Sequence, residues 1–240
     1  MKSLIPFALL LTAAAPSQKA VEIERNSKTL EFSSSWPAEA AVIPALNRRF
    51  RTASDQAWRE ARSNVVADQK LTLEQKRPFN RQSYSMAWTT AGQSKRLLSL
   101  QSELGTFTGG AHPNRSYGAL LWDRAFGRQV TLDSLFARSG GLAAVTRTAY
   151  CSALDAERLK RREGEKLDGE FGECPKYSEL AIAPADGDKD GSFDRLSFVA
   201  SPYTAGPYVE GEYEISLPVT AALIAALHPQ YRASFEAQRQ

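Results

Sequence analysis

A chain of 240 residues, 42% hydrophobic and 24% charged, can bury a real core and is too apolar to stay disordered. Its net charge of +3 is too small to argue for a nucleic-acid partner. Strand-like and helix-like segments follow one another irregularly, which excludes a doubly wound sheet and leaves an α+β fold: a mostly antiparallel sheet with helices packed on one face, in two small subdomains.

The chain opens Met1-Lys2-Ser3, runs apolar over 4–11 and then turns small at Thr12-Ala13-Ala14-Ala15. A basic start, a short apolar stretch and small residues describe a secretory signal peptide, here assigned to 1–20. The apolar run is too short to cross a bilayer, and no later run is longer, so no membrane span is expected after cleavage. The mature protein is expected to be periplasmic or secreted. Its two cysteines, Cys151 and Cys174, either pair or stay as thiols. An oxidising compartment favours the bridge, and closing a loop of that size contributes about 3 kcal/mol in the chain-entropy picture.

Beyond the signal, 21–24 and 30–33 alternate as strands around the turn residues Asn26-Ser27-Lys28. Residues 43–68 read as an amphipathic helix, with Ile43, Leu46, Phe50, Ala53, Ala57 and Ala61 on one stripe and arginines mostly off it. Pro44 suits its first turn. The period then changes to two. Residues 83–88 and 96–103 read as a hairpin about Ala91-Gly92-Gln93-Ser94, followed by a strand over 116–125. Residues 142–162 read as a helix, and 179–183 and 195–200 as strands around an acidic loop. A last strand is expected over 208–217. A helix opened by Pro218 follows, and His228-Pro229 ends it.

Several motifs together resemble known exported domains. Phe107-Thr108-Gly109-Gly110-Ala111-His112, Trp122-Asp123, the run 129–136, Gly206-Pro207-Tyr208 and Gly211-Glu212-Tyr213 resemble the C-terminal domain of the lysozyme-sensing anti-sigma factor RsiV. Residues 21–105 are similar to the small domain that precedes the catalytic unit of the peptidoglycan deacetylase PdaC. The resemblance implies a PdaC-like domain over 21–105 and an RsiV-like domain over 106–240, both extracytoplasmic α+β modules of the binding type. RsiV's anchor and sigma-binding segment and PdaC's deacetylase unit find no counterpart in these residues, so neither activity carries over.

Four loop residues are the candidate contacts: His112 and Asn114 beside Gly109-Gly110, and Tyr203 and Tyr208 flanking Gly206-Pro207. Rings on loops held by a rigid sheet suit a cell-wall glycan or another periplasmic or extracellular protein, such as a lysozyme-like hydrolase. No GxSxG or HExxH motif occurs, so no catalytic residue is assigned. The enzymatic alternative is an envelope hydrolase using His112 with a carboxylate such as Asp123. The third reading concerns the acidic loop. Asp186, Asp188, Asp190 and Asp194, with Gly191 at the sixth position, follow the spacing of an EF-hand loop, but Ser197 stands where the bidentate Glu belongs. Either that loop holds Ca²⁺ weakly, as the brace of a structural domain, or it is a hairpin of solvated aspartates. No other cofactor is expected.

Overall fold

The computed structural model describes residues 19–238, and the signal-peptide segment expected over 1–20 lies almost wholly outside them. The fold is α+β with mostly antiparallel strands. Six strands form the first sheet in chain order: β1 (Val21–Glu24), β2 (Leu30–Trp36), β3 (Gln82–Gln93), β4 (Leu97–Phe107), β5 (Asn114–Asp123) and β6 (Arg128–Val130). Only β2 and β3 run parallel. A parallel pair needs a crossover, and the helix between them supplies it. After the short α1 (Ala38–Ala41), that crossover is α2 (Pro44–Glu74), with Pro44 in its first turn.

Alternation along the strands decides what each face meets. Leu30, Phe32 and Trp36 of β2, Leu98 and Leu100 of β4, and Leu120 and Trp122 of β5 point to α2, where Leu46, Phe50 and Val65 pack on them. The helix is longer at its C-terminal end than its periodicity suggested. Ala53, expected in the buried stripe, is exposed, and Ser54 lies inside instead. Steps of four from Leu46 through Phe50 reach 54, and the stripe follows that drift.

The opposite face of the sheet meets a second, three-stranded antiparallel sheet: β7 (Leu180–Ala185), β8 (Arg195–Ala200) and β9 (Tyr213–Pro218). Gln101 of β4 donates to Ser197 Oγ of β8 across the interface (2.8 Å). The far face of this second sheet carries α3 (Gly141–Arg161). Tyr150 of α3 stacks on Phe198 of β8, ring centres 4.9 Å apart, and Leu154, Tyr213 and Ile215 join the same core. The layers thus run α2, long sheet, short sheet, α3, and each sheet has its helix on one face. Two short helices, α4 (Ala221–Ala226) and α5 (Pro229–Arg232), finish the described chain.

β4 and β5 pair across the 108–113 hairpin, and the first sheet runs on to Val130. Two local expectations change. Residues 208–210 form a 3-10 turn rather than the start of the last strand, because Gly211 takes a left-handed φ of +71° and resets the chain direction before Tyr213. Pro218 ends β9, and Thr220 caps α4 by accepting from Leu223 N (3.1 Å). Cys151 of α3 and Cys174 form a disulfide, with Cα atoms 5.6 Å apart.

Candidate functional site

Two loops on one end of the molecule build a row of rings. One is the β4–β5 hairpin. Gly109 takes φ +86°, and its carbonyl accepts from Asn80 Nδ2 (3.0 Å), which fixes the base of the loop. The other is the segment 201–212 between β8 and β9. His112 of the hairpin stacks on Tyr208, ring centres 3.9 Å apart and planes 25° apart. Tyr208 lies 5.5 Å from Tyr203 at 34°. Both loops share one acceptor: Tyr208 OH donates to Pro113 O (2.5 Å), and His112 Nδ1, in the tautomer that carries hydrogen there, donates to the same oxygen (3.0 Å).

His112 and Tyr203 are exposed, and Tyr208, which touches both, is half-buried. Tyr203 is 53% exposed, and Val209, at the tip of the turn, is 89% exposed. Tyr203 also holds φ +71°, which a bulky L-residue adopts only when its surroundings compel it. Three of the four expected contact residues therefore meet. The fourth, Asn114, is exposed at the first position of β5, opposite Thr106, and stands beside the row rather than in it.

The row's support comes from behind. Arg162 Nε and Nη2 each donate to the Glu210 carboxylate at 2.8 Å, and Tyr213 OH donates to it as well. Arg161 Nη1 donates to Glu210 O (2.8 Å) and Glu212 O (2.7 Å), and its guanidinium lies 4.1 Å over the Tyr213 ring. The Arg162 guanidinium holds the Glu210 carboxyl below its ordinary value, against the opposing effect of burial. Burial pushes the Tyr213 phenol up, and Glu210 adds to that shift. Gly206 is needed for this packing: a Cβ there would lie 2.1 Å from Glu210 Oε2. Sequence reading found the rings and missed Arg161, Arg162 and Glu210. The available signal was a cluster of basic residues in the last turn of a helix, which reads equally well as a solvated face.

The other candidates sit elsewhere. Asp123 is fully buried at the far end of β5, with Arg96 Nη2 on its Oδ2 (3.0 Å) and the Ala125 and Phe126 N–H groups on its Oδ1 (2.9 and 3.2 Å). Residues 114–123 at about 3.4 Å per residue put it roughly 30 Å from His112, so the two cannot act on one bond. Among the described residues, the His112 ring is hydrogen-bonded only to Pro113 O.

The acidic loop is at the opposite end of β8. Ligand oxygens of Asp186, Asp188 and Asp190 lie within 4.8 Å of one another. Asp194, expected as a fourth ligand, turns away. Its Oδ1 accepts from Gly187 N (2.8 Å), and Arg195 Nη2 pairs with its Oδ2 (3.0 Å). Burial, the largest single influence, raises the Asp194 carboxyl, but the Arg195 hydrogen bond, the Gly187 N–H and the Arg195 charge together hold it below its ordinary value.

Between the sheets lies a cleft of about 180 Å³ that includes Gln101, Glu103, Tyr117, Glu212 and Glu214 in its lining. Burial, then Glu212 and Glu103, push the Tyr117 phenol up.

Comparison with known proteins adds a partial family match and a likeness of fold. Residues 23–115 match the family model described as Deacetylase PdaC. The match covers fewer than half of the residues and ends inside β5, past the hairpin that carries His112. A search of curated proteins finds no match. Among solved structures, a DUF3298 family protein from Pseudomonas aeruginosa PAO1 shares 17% identity, with 91% of this chain and 95% of that chain covered and a TM-score of 0.54. A member of the same family from Bacteroides fragilis NCTC 9343 shares 15% identity, with 90% and 96% covered and a TM-score of 0.58. At these identities the likeness is one of fold.

Proposed function

We propose that this protein is an exported, non-catalytic binding module of the PdaC and RsiV type, and that it lays a cell-wall glycan across the Tyr203–Tyr208–His112 row. The observation that carries the reading is three rings in a row on loops at one end of the molecule, His112 and Tyr203 exposed and Tyr208 half-buried in contact with both, with His112 and Tyr208 sharing the Pro113 carbonyl. A sugar ring has an apolar C–H face that stacks on such surfaces and a rim of hydroxyls that stays hydrated or hydrogen-bonded. The Cys151–Cys174 disulfide fits an oxidising compartment and supports export.

The test is retention on purified peptidoglycan sacculi. Wild-type protein is expected to sediment with sacculi and to release no soluble muropeptides, and Tyr203→Ala with Tyr208→Ala is expected to abolish sedimentation while the fold persists. Retention unchanged in that double variant would sink the glycan reading. Binding to a lysozyme-like hydrolase, lost in the same variant, would transfer the surface to a protein partner. Muropeptide release lost with His112→Ala would make the protein an envelope hydrolase.

A second reading, a calcium-braced loop, is favoured by the convergence of Asp186, Asp188 and Asp190. Three carboxylates giving one oxygen each supply fewer than the six to eight oxygens Ca²⁺ takes, so water or carbonyls would complete the shell. A rise in melting temperature with added Ca²⁺, removed by Asp188→Ala, supports it, and an unchanged melting temperature removes it.

A further inference from the structure

The aromatic row is tied to the disulfide through one buried guanidinium. Arg158 of α3 is 3% exposed. It donates to Ala205 O (2.9 Å), two residues beyond Tyr203, and to Gly172 O (3.3 Å) and Glu173 O (2.9 Å), next to Cys174. Asp155 Oδ1 completes its partners at 3.2 Å. A guanidinium out of water is costly unless its donors are matched, so Arg158 fixes 172–173 and 205 relative to each other. Arg147 fastens the same segment through Cys174 O (2.8 Å) and Pro175 O (2.6 Å).

Upstream of that segment the chain is held by short-range backbone hydrogen bonds, Gly164 N to Leu159 O (2.8 Å), Glu165 N to Arg162 O (2.9 Å) and Gly172 N to Gly169 O (2.9 Å). Gly164 and Gly169 take positive φ, as does Glu163, and residues 163–169 are exposed. The covalent tie is the Cys151–Cys174 bridge, whose cysteines are half-buried. We propose that this disulfide sets the order of the aromatic row, so that the thiol–disulfide state of the pair governs binding at Tyr203. The inference rests on the row being the contact surface.

The chemistry balances with a dithiol as reductant. Its thiolate attacks one cysteine sulfur to form a mixed disulfide. Its second thiol then closes on the first and leaves as a cyclic disulfide, and two electrons and two protons pass to Cys151 and Cys174. The freed segment 163–175 gains conformational entropy, and the carbonyls of Gly172 and Glu173 no longer hold one position. Arg158 then turns its donors to Asp155 and water, and Ala205 O loses its partner. Arg161 and Arg162 still hold Glu210, so the loosening falls on Tyr203 more than on Tyr208.

The experiment measures amide hydrogen exchange and sacculus retention on the full chain. It compares the oxidised protein, the dithiothreitol-reduced protein and the Cys151→Ser/Cys174→Ser variant. Reduction is expected to accelerate exchange in 163–176 and in 201–207 by roughly tenfold or more, with less effect in 208–212 and none in β3–β5. Retention on sacculi is expected to fall with it. Faster exchange in 163–176 with 201–207 unchanged overturns the coupling. If reduction also opens β3–β5, Arg158→Lys in the oxidised chain decides. A lysine cannot reach three carbonyls at once, so 201–207 should accelerate with the bridge intact, and unchanged protection there overturns the inference. Wild-type protein that fails to bind sacculi removes the functional reading, and the exchange data still decide the coupling.

Discussion

The two loops that flank β8 are held in opposite ways. The acidic loop before it is tied at its ends, by Asp186 N to Ala91 O (3.1 Å) and Phe193 N to Ser234 O (2.9 Å), but its tip closes on one carboxylate: Asp186 Oδ1 accepts from Lys189 N (2.7 Å) and Asp190 N (3.2 Å), and Oδ2 accepts from Gly191 N (3.1 Å). The 201–212 loop after it is held by α3 through Arg158, Arg161 and Arg162. A loop closed on its own carboxylate is autonomous and shows its charges to water. A loop fastened from behind has its polar groups satisfied on the buried side, which frees its outer side to carry rings. Change at a distance should therefore reach the second loop and spare the first.

The largest expected effect comes from cutting that rear support. Glu210→Ala leaves Arg162, itself largely buried, without its carboxylate and Tyr213 OH without its acceptor. The loss should be about 2–3 kcal/mol of unfolding free energy, read by urea denaturation, because the group removed is the ionic partner of a mostly buried cation. A loss below about 0.5 kcal/mol would mean that water replaces Glu210 freely and that the loop is not fastened as described.

Acid should reach the same contact without mutation. Glu210 is held below its ordinary value of 4.5, chiefly by Arg162. A carboxyl depressed in the folded state contributes stability that is complete above 4.5 and is lost as pH falls through the lower folded value. Asp194 and Asp123 are depressed too, so all three add to the acid slope. Glu210→Gln should flatten the decline in melting temperature below pH 4.5 only in part, and exchange in 208–212 should lose its acid sensitivity. Acid sensitivity that persists there would assign the effect to another group.

A smaller effect is expected at the other loop. Asp186→Ala releases three backbone N–H groups at the surface, where water takes them up. It should cost about 1 kcal/mol and raise exchange in 187–192 alone. Any change in sacculus retention would show that the two ends of β8 communicate, which breaks the contrast.

What was legible in the sequence was local. The span of α3, the β1–β2 turn and β8 all follow from periodicity and turn residues a few positions apart. Choosing His112, Tyr203 and Tyr208 needed only the rule that rings beside glycine turns stay outside. Their stacking, between residues far apart in sequence, was not legible, since no local pattern encodes it. The same holds for Arg158 reaching Ala205 O and for the sheet that runs unbroken past residue 105. Asp194 misled because loop spacing cannot show that a neighbouring Arg195 and the Gly187 N–H already claim its oxygens.

The smallest expected change in stability is also the most discriminating. Tyr203 sits at φ +71°, a conformation that asparagine tolerates far better than tyrosine. If the ring is there only to pack, Tyr203→Asn should destabilise, because its contact with Tyr208 is lost. If the ring is there to meet a ligand, the backbone strain is a cost kept for function. The substitution should then leave stability unchanged or raise it by up to about 1 kcal/mol, while retention on sacculi falls. Differential scanning calorimetry and sedimentation on the same sample separate the two cases. Lower stability together with full retention would place Tyr203 in the framework and leave Tyr208 and His112 as the surface to be tested.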